Sequence, residues 1–176
     1  YEGNETFTIT LSNASAGSIS DSTATVTITE NESAPTVSLS TSASSIDENS
    51  GSNLTLTATL SGTTDSAITV ALDTSGTATE GTDYSDNGGT SLLNDITISA
   101  GSTTGTVTFN PTTDTVCEIG NETATIAISG VSGKSGVNED GDQSQTITIT
   151  EPDEFVCGTQ LSYNSTTATN YKNAAE

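Results

Sequence analysis

Apolar and polar residues alternate along most of this chain, with threonine or serine between the apolar positions. A period of two is typical of strands that expose one face to water, and no segment has the period of an amphipathic helix. Two such segments, 7–11 and 24–28, come first. Because a lone strand pair is marginal in water, we expect residues 1–32 to complete their core with strands from upstream chain or from another molecule.

Beyond a short acidic linker at residues 30–35, alternation predicts a complete set of strands. Pro35 cannot continue a strand ladder, which places a domain boundary here. The fold expected for residues 33–157 is an all-β, seven-stranded antiparallel sandwich of the immunoglobulin-like type, with a thin aliphatic core. Residues 158–176 are polar and are expected to form a tail or a linker to the next module. The seven predicted strands are centred on residues 37–39, 54–60, 68–72, 96–98, 107–109, 124–128 and 147–149.

The start of the chain is repeated near its end. Gly-Asn-Glu-Thr occurs at residues 3–6 and again at 120–123, an offset of 117, and the segment 26–30 resembles 147–151 at an offset of 121. A period of this length corresponds to one whole sandwich rather than to a solenoid repeat. We therefore interpret residues 1–32 as the last two strands of a preceding copy.

Charge excludes several classes of function. The chain of 176 residues has 23 acidic residues against two lysines and no histidine, a formal net charge of −21. Such a surface has no basic patch for nucleic acid and opposes compaction unless cations or salt are present. Without histidine, arginine or tryptophan, a base-activated nucleophile, a phosphate clamp and a sugar platform are missing. We therefore expect no enzyme and no nucleic-acid partner, and no apolar run in this stretch is long enough to span a membrane.

Carboxylates cluster at the ends of the predicted strands. Glu48 follows the first strand, Asp83 precedes the fourth, and other acids precede the sixth strand and follow the seventh. In a Greek-key sandwich these last two positions lie at the same pole. Ca²⁺ takes six to eight oxygen ligands, mostly carboxylates and carbonyls, and unneutralised carboxylates would repel one another. The pattern predicts a calcium site, with a solvated acidic rim as the alternative.

Three segments carry short motifs: Ile-Asp-Glu-Asn at 46–49 followed by Gly51, Gly-Thr-Ala-Thr with Gly-Thr-Asp-Tyr at 76–84, and 118–123 with its Gly-Asn-Glu-Thr. Together they resemble the Calx-β domain of sodium–calcium exchangers and many surface proteins. The resemblance implies a seven-stranded sandwich that binds calcium at one pole. One aspartate, at 114, stands where the family often has two in succession. The calcium ligands implied are Glu48, Asp83, Asp114, Glu118, Glu122, Glu151 and Asp153, with Glu2, Glu5, Glu30 and Glu32 as the remaining half of the preceding site.

The two cysteines and the glycosylation sequons are typical of a protein in an oxidising, extracellular environment. Cys117 and Cys157 flank the acidic pole, and we expect a disulfide that fixes the exit of the chain, with separate thiols or an intermolecular bridge as alternatives. The segment 138–142 resembles a fragment of a calcium loop, but a turn is the better interpretation because the closing glutamate is missing. Candidate glycosylation sites are the Asn-x-Ser/Thr sequons at Asn4, Asn13, Asn31, Asn53, Asn121 and Asn164.

Two functions agree with these patterns. The favoured one is an extracellular structural or adhesive calcium-binding module of a tandem-repeat surface protein or filament. Its expected partners are neighbouring Calx-β repeats or identical subunits in a fibre-like assembly, together with a cell-surface or matrix ligand. The alternative is a calcium-sensing regulatory module of a larger protein.

Overall fold

A computed structural model describes residues 1–86, 92–113 and 120–150, and this part of the chain is all-β. Its strands are β1 (Glu5–Thr10), β2 (Thr23–Ile28), β3 (Thr36–Thr41), β4 (Ser45–Asp47), β5 (Leu54–Leu60), β6 (Ile68–Gly76), β7 (Tyr84–Ser85), β8 (Ile96–Ile98), β9 (Thr104–Pro111), β10 (Glu122–Ser132), β11 (Asn138–Glu139) and β12 (Ser144–Thr150).

Two five-stranded sheets form a β-sandwich from β3 onward. One sheet has the order β4-β12-β10-β6-β8 and the other the order β11-β3-β5-β9-β7. Neighbouring strands are antiparallel, except that β4 runs parallel to β12 and β11 runs parallel to β3. The first of these exceptions arises because the chain leaves one sheet after β3 and joins the other as β4, beside the last strand. This change of sheet brings Asp47 level with Thr150.

The core lies between the two sheets. In β5 the apolar residues at 54, 56, 58 and 60 are buried, and the threonines between them face outward. β10 repeats the pattern with Ala124, Ile126 and Ile128. Each fully buried aliphatic side chain stabilises the fold by roughly 1.5–3 kcal/mol. Tyr84 stacks on Phe109, with 4.7 Å between the ring centroids, so two of the few aromatic residues fill one end of an otherwise aliphatic core.

The predicted sandwich and all seven of its predicted strands are confirmed. β4, β7 and β11 were not predicted, because two or three residues are too few for an alternating pattern to be recognised. The turn predicted at 138–142 begins with β11. There the main-chain N–H of Gln143 donates to the carboxylate of Glu139.

The first two strands form a separate antiparallel hairpin. β1 pairs with β2 so that Phe7 lies opposite Val26 and Ile9 opposite Ala24. Every residue of both strands is exposed. The hairpin meets the sandwich through Tyr1, whose main-chain nitrogen donates to the carbonyl of Thr63 at 2.7 Å.

Candidate functional site

Several strand ends meet at one end of the sandwich. β10 begins with Glu122 opposite Ile149, and β4 ends with Asp47 opposite Thr150. The hydroxyl of Thr113, just after β9, donates to the main-chain carbonyl of Glu48 at 3.1 Å. We call this end, which carries Glu48, Asp83 and Glu122, the acidic pole.

Glu48 is held in place by its own main chain. Its N–H donates to the carbonyl of Thr150 at 3.1 Å. The preceding residue, Asp47, accepts a bond from the N–H of Asn49 at 2.8 Å, which makes a tight turn. The main chain of Glu48 is therefore fixed directly after β4, and the residue is only 7% exposed.

Glu48 lines a pocket of about 320 Å³. Within the described residues its carboxylate has neither a hydrogen-bond partner nor an ion-pair partner. A buried charge in this situation is costly unless a counter-charge reaches it. The pocket is otherwise lined by small and oxygen-bearing groups: Gly51, Ser52, Asn110, Pro111, Thr112 and Thr113.

Asp83 lies in a loop that the Gly-Thr-Ala-Thr segment positions. The N–H groups of Thr77 and Ala78 both donate to the carbonyl of Thr123, at 2.9 and 3.0 Å. Gly76 permits this approach, because it has φ +127° and a Cβ there would lie 2.1 Å from the same oxygen. The start of the loop is thus fastened to the first residues of β10.

The aspartate itself is buried, with 8% exposure. Its Oδ2 accepts a bond from the N–H of Thr79. Its main-chain carbonyl accepts one from the N–H of Thr112 at 2.9 Å, which ties the loop to the wall of the Glu48 pocket. Its Oδ1 makes no hydrogen bond with a described residue.

Glu122 is the third predicted ligand within the described residues. It is half-buried at the first position of β10, and its Oε2 is buried. The other predicted ligands of this pole lie outside the described residues, as do both cysteines of the predicted disulfide: Asp114, Glu118, Glu151, Asp153, Cys117 and Cys157. In residues 1–86, 92–113 and 120–150, no three Asp, Glu, His or Cys side chains are grouped so that they could hold a metal ion.

Two buried or half-buried acids near Asp83 were not predicted as part of the site. Glu80 accepts a bond from the hydroxyl of Thr74 at 3.0 Å and another from the N–H of Leu93. Asp86 accepts one from the side-chain amide of Asn94. Burial raises the pKa of the Tyr84 hydroxyl between them. These carboxylates have local partners, which distinguishes them from Glu48.

The acids of the N-terminal hairpin are arranged differently. Both carboxylate oxygens of Glu30 accept main-chain N–H bonds: Oε2 from Glu2 and Gly3 at 2.9 and 2.7 Å, and Oε1 from Asn31 and Glu32 at 2.9 and 3.0 Å. These four bonds lower the pKa of Glu30 to about 2. Glu2, Glu5 and Glu32 are exposed. Glu30 therefore closes the end of the hairpin through the backbone.

The described sequons are all exposed: Asn4, Asn13, Asn31, Asn53 and Asn121. Asn4 also has a structural contact, because its Oδ1 accepts the N–H of Glu30 at 2.7 Å. Asn164 lies outside the described residues. Surface exposure meets the first requirement for glycosylation at the five described positions, and their modification stays a prediction.

Comparison with individual curated proteins gave no match. In the part of the chain that the structure describes, no helix has the length and apolarity needed to cross a membrane. The family model of the Calx-beta domain matches residues 1–32 and residues 30–153. These segments cover both the hairpin and the sandwich with its acidic pole. On this match, the chain belongs to the Calx-β domain family, whose domains are non-catalytic modules associated with calcium binding.

Proposed function

We propose that the chain is a calcium-binding structural module of an extracellular tandem-repeat protein, and that the ion binds at the acidic pole. The observation that carries this proposal is Glu48. The residue is 7% exposed, lines a pocket, and its carboxylate has no hydrogen-bond or ion-pair partner among the described residues, so a cation bound there would offset its charge.

The chemistry of the acidic pole favours calcium over other metals. Among the described residues, the donors at this pole are carboxylate, hydroxyl, amide and carbonyl oxygens, which are the ligands of hard cations. The chain has no histidine, so the usual nitrogen ligand of zinc or copper is missing. We propose Glu48, Asp83 and Glu122 as ligands, completed by Asp114, Glu118, Glu151 and Asp153 from outside the described residues.

The structural role is supported by the junction between the hairpin and the sandwich. Besides its bond to Thr63, Tyr1 accepts the N–H of Asp65 on its carbonyl at 3.4 Å. The hydroxyl of Tyr1 lies close to Gly136, because a Cβ added to that glycine would be 3.1 Å from the hydroxyl oxygen. Asp65 in turn forms an ion pair with Lys134 at 2.9 Å, and the hydrogen bond from this lysine lowers the pKa of Asp65. Two successive family segments are thus joined by direct contacts, as expected for a stiff array.

We also propose the division of the chain that the repeat predicts. Residues 1–32 are the last two strands of one repeat, and residues 33–157 form the next repeat. Residues 158–176 form a polar tail or a linker to the next module. In such an array the neighbouring repeats are the primary partners, and the exposed sequons and hydroxyl-rich faces suit a cell surface or a matrix.

The experiment that tests this function is a thermal melt of the whole chain at constant ionic strength, in chelator, in Mg²⁺ and in Ca²⁺. A ligand that binds only the folded state at a hundredfold excess over its Kd stabilises it by about 2.7 kcal/mol. We expect a rise in Tm with Ca²⁺ that Mg²⁺ does not reproduce.

A control variant separates the acidic pole from general charge screening. Asp142→Asn removes one charge from an exposed position of the β11–β12 loop and should keep the calcium shift. If Ca²⁺, Mg²⁺ and an equal ionic strength of Na⁺ give the same Tm, the acidic pole is a solvated rim and the chain is a plain spacer.

A further inference from the structure

The N-terminal hairpin has the same strand pairing as the last hairpin of the sandwich. In β1–β2, Glu5 lies opposite Ile28, and in β10–β12, Glu122 lies opposite Ile149. The offsets are 117 for the first strand and 121 for the second. The remaining pairs of β1–β2 correspond one by one in the same way, so the two hairpins are superposable in register.

The two hairpins differ in burial at equivalent apolar positions. Residues that are paired across a hairpin share a face, so each hairpin has one apolar face. In β10–β12 that face is covered, and in β1–β2 it is exposed. The exposed fractions are 49% for Phe7 against 0% for Ala124, 50% for Ile9 against 0% for Ile126, 38% for Val26 against 0% for Ile147, and 55% for Ile28 against 2% for Ile149.

The covered hairpin shows what the exposed one requires. β6 pairs antiparallel with the free edge of β10, and β4 pairs parallel with the free edge of β12. The sheet formed by β3, β5 and β9 closes over the apolar face. An occupant of β1–β2 must therefore supply two edge strands and one apolar sheet.

A second copy of this chain does not have such strands to spare. In every copy β4 and β6 are already hydrogen-bonded to β12 and β10, and the core residues they cover are at most 8% exposed. A second copy would have to open its own sandwich in order to donate them. The strands that cover β10–β12 precede β10 in the same polypeptide, and this arrangement favours an intramolecular source for β1–β2 as well.

We infer that the apolar face of β1–β2, formed by Phe7, Ile9, Val26 and Ile28, is the docking surface for a preceding set of strands of the same polypeptide, equivalent to β3 through β9. The preceding set adds a strand to each edge of the hairpin and closes a second sandwich. This inference rests on the proposed division of the chain into repeats and on strand pairing and burial, and none of these depends on calcium.

The test adds a second copy of the chain's own strands β3 to β9 in front of the hairpin. Because residue 118 is equivalent to residue 1, residues 34–117 are placed directly before Tyr1 of the full chain, with Cys117→Ser in the added copy. Amide hydrogen exchange of β1 and β2 is then compared between the chain and the extended chain. We expect the amides of β1 that face its free edge to become protected by at least 100-fold, while β10 and β12 stay protected in both proteins.

Two controls make the result specific. An extended chain with Ile68→Asp and Val70→Asp in the added copy should lose the new protection, because its edge strand cannot pack. The double variant Phe7→Thr/Ile9→Thr should leave the melt of the unextended chain unchanged and should abolish the additional transition of the extended chain.

Two outcomes overturn the inference. Unchanged exchange of β1–β2 in the extended chain means that the face does not accept these strands. Protection in the unextended chain that rises with protein concentration, together with a dimer in sedimentation, means that a second copy covers the face.

Discussion

The hairpins β1–β2 and β10–β12 have the same register and a similar sequence, but only β10–β12 is part of a core. Ile9 and Ile126 occupy equivalent positions at 50% and 0% exposure. The acids at their starts differ too, since Glu5 is exposed and Glu122 is half-buried. Strand pairing is therefore determined within the hairpin. The burial of its apolar residues and carboxylates depends on strands that lie about fifty residues earlier in the chain, as β6 does relative to β10.

The largest difference is expected from truncating the equivalent isoleucines. Ile126→Ala should lower the free energy of unfolding of the sandwich by about 2–5 kcal/mol, because it leaves a cavity between the sheets. Ile9→Ala should change it by less than about 0.5 kcal/mol, as is usual at the surface. Urea denaturation of the two variants measures both values, and equal losses would show that the β1–β2 face is covered in solution.

A smaller effect on stability is expected at Gly76, which joins the Asp83 loop to β10. Gly76→Ala forces a Cβ against the carbonyl of Thr123 at a positive φ, so we expect a loss of about 1–3 kcal/mol. Gly17→Ala is the matched control in the β1–β2 loop, where φ is also positive but nothing lies within 4 Å. Gly17→Ala should lower the stability clearly less than Gly76→Ala does, and thermal melts of the two variants test the difference.

The equivalent acids Glu5 and Glu122 should differ in their effect on calcium binding. Glu122→Gln removes a proposed ligand at the acidic pole and should weaken binding on the order of tenfold, about 1.4 kcal/mol. Glu5 is exposed in the hairpin, so calorimetric titration of Glu5→Gln should match the unmodified chain. A tenfold loss in Glu5→Gln would mean that the hairpin holds calcium on its own.

The smallest effect is a pH dependence at Glu30. Its pKa is lowered from 4.5 to about 2 by main-chain N–H bonds. A carboxylate with a lowered folded-state pKa stabilises the fold above its unfolded pKa, and the contribution is lost as the pH falls through the folded pKa. The bonds to Glu2 and Gly3 should persist at pH 4 and be lost near pH 2, which NMR of the Glu30 carboxyl carbon and of these two amides can follow. A midpoint near 4.5 would contradict the capping role.

Most of the fold could be predicted because its signals are local. Alternation located every long strand, and the apolar set 54, 56, 58 and 60 of β5 is buried as expected. The short strand β4 was missed although Ile46 is buried, because three residues carry no period and its pairing with β12 spans about a hundred residues. Its parallel direction depends on a change of sheet that alternation cannot indicate.

The candidate site could be predicted only in part. Motif spacing identified Glu48 and Asp83, both of which are buried at one pole. The sequence could not show that the Glu48 carboxylate lacks a described partner while that of Glu30 has four main-chain donors. Both residues stand in acidic segments at the ends of strands. Two of these donors, Asn31 and Glu32, follow Glu30 in the chain. The other two, Glu2 and Gly3, precede β1, and the antiparallel hairpin brings them beside Glu30 at the same end.

The most direct test of a calcium site at the acidic pole is the melt of Glu48→Gln beside the unmodified chain, in chelator and in saturating Ca²⁺. In chelator the variant should be more stable by about 1 kcal/mol, because it removes a buried charge that has no partner among the described residues. In Ca²⁺ the order should reverse, since only the unmodified chain gains the full stabilisation from the ion. A variant that is less stable in chelator and keeps the whole calcium shift would contradict the account.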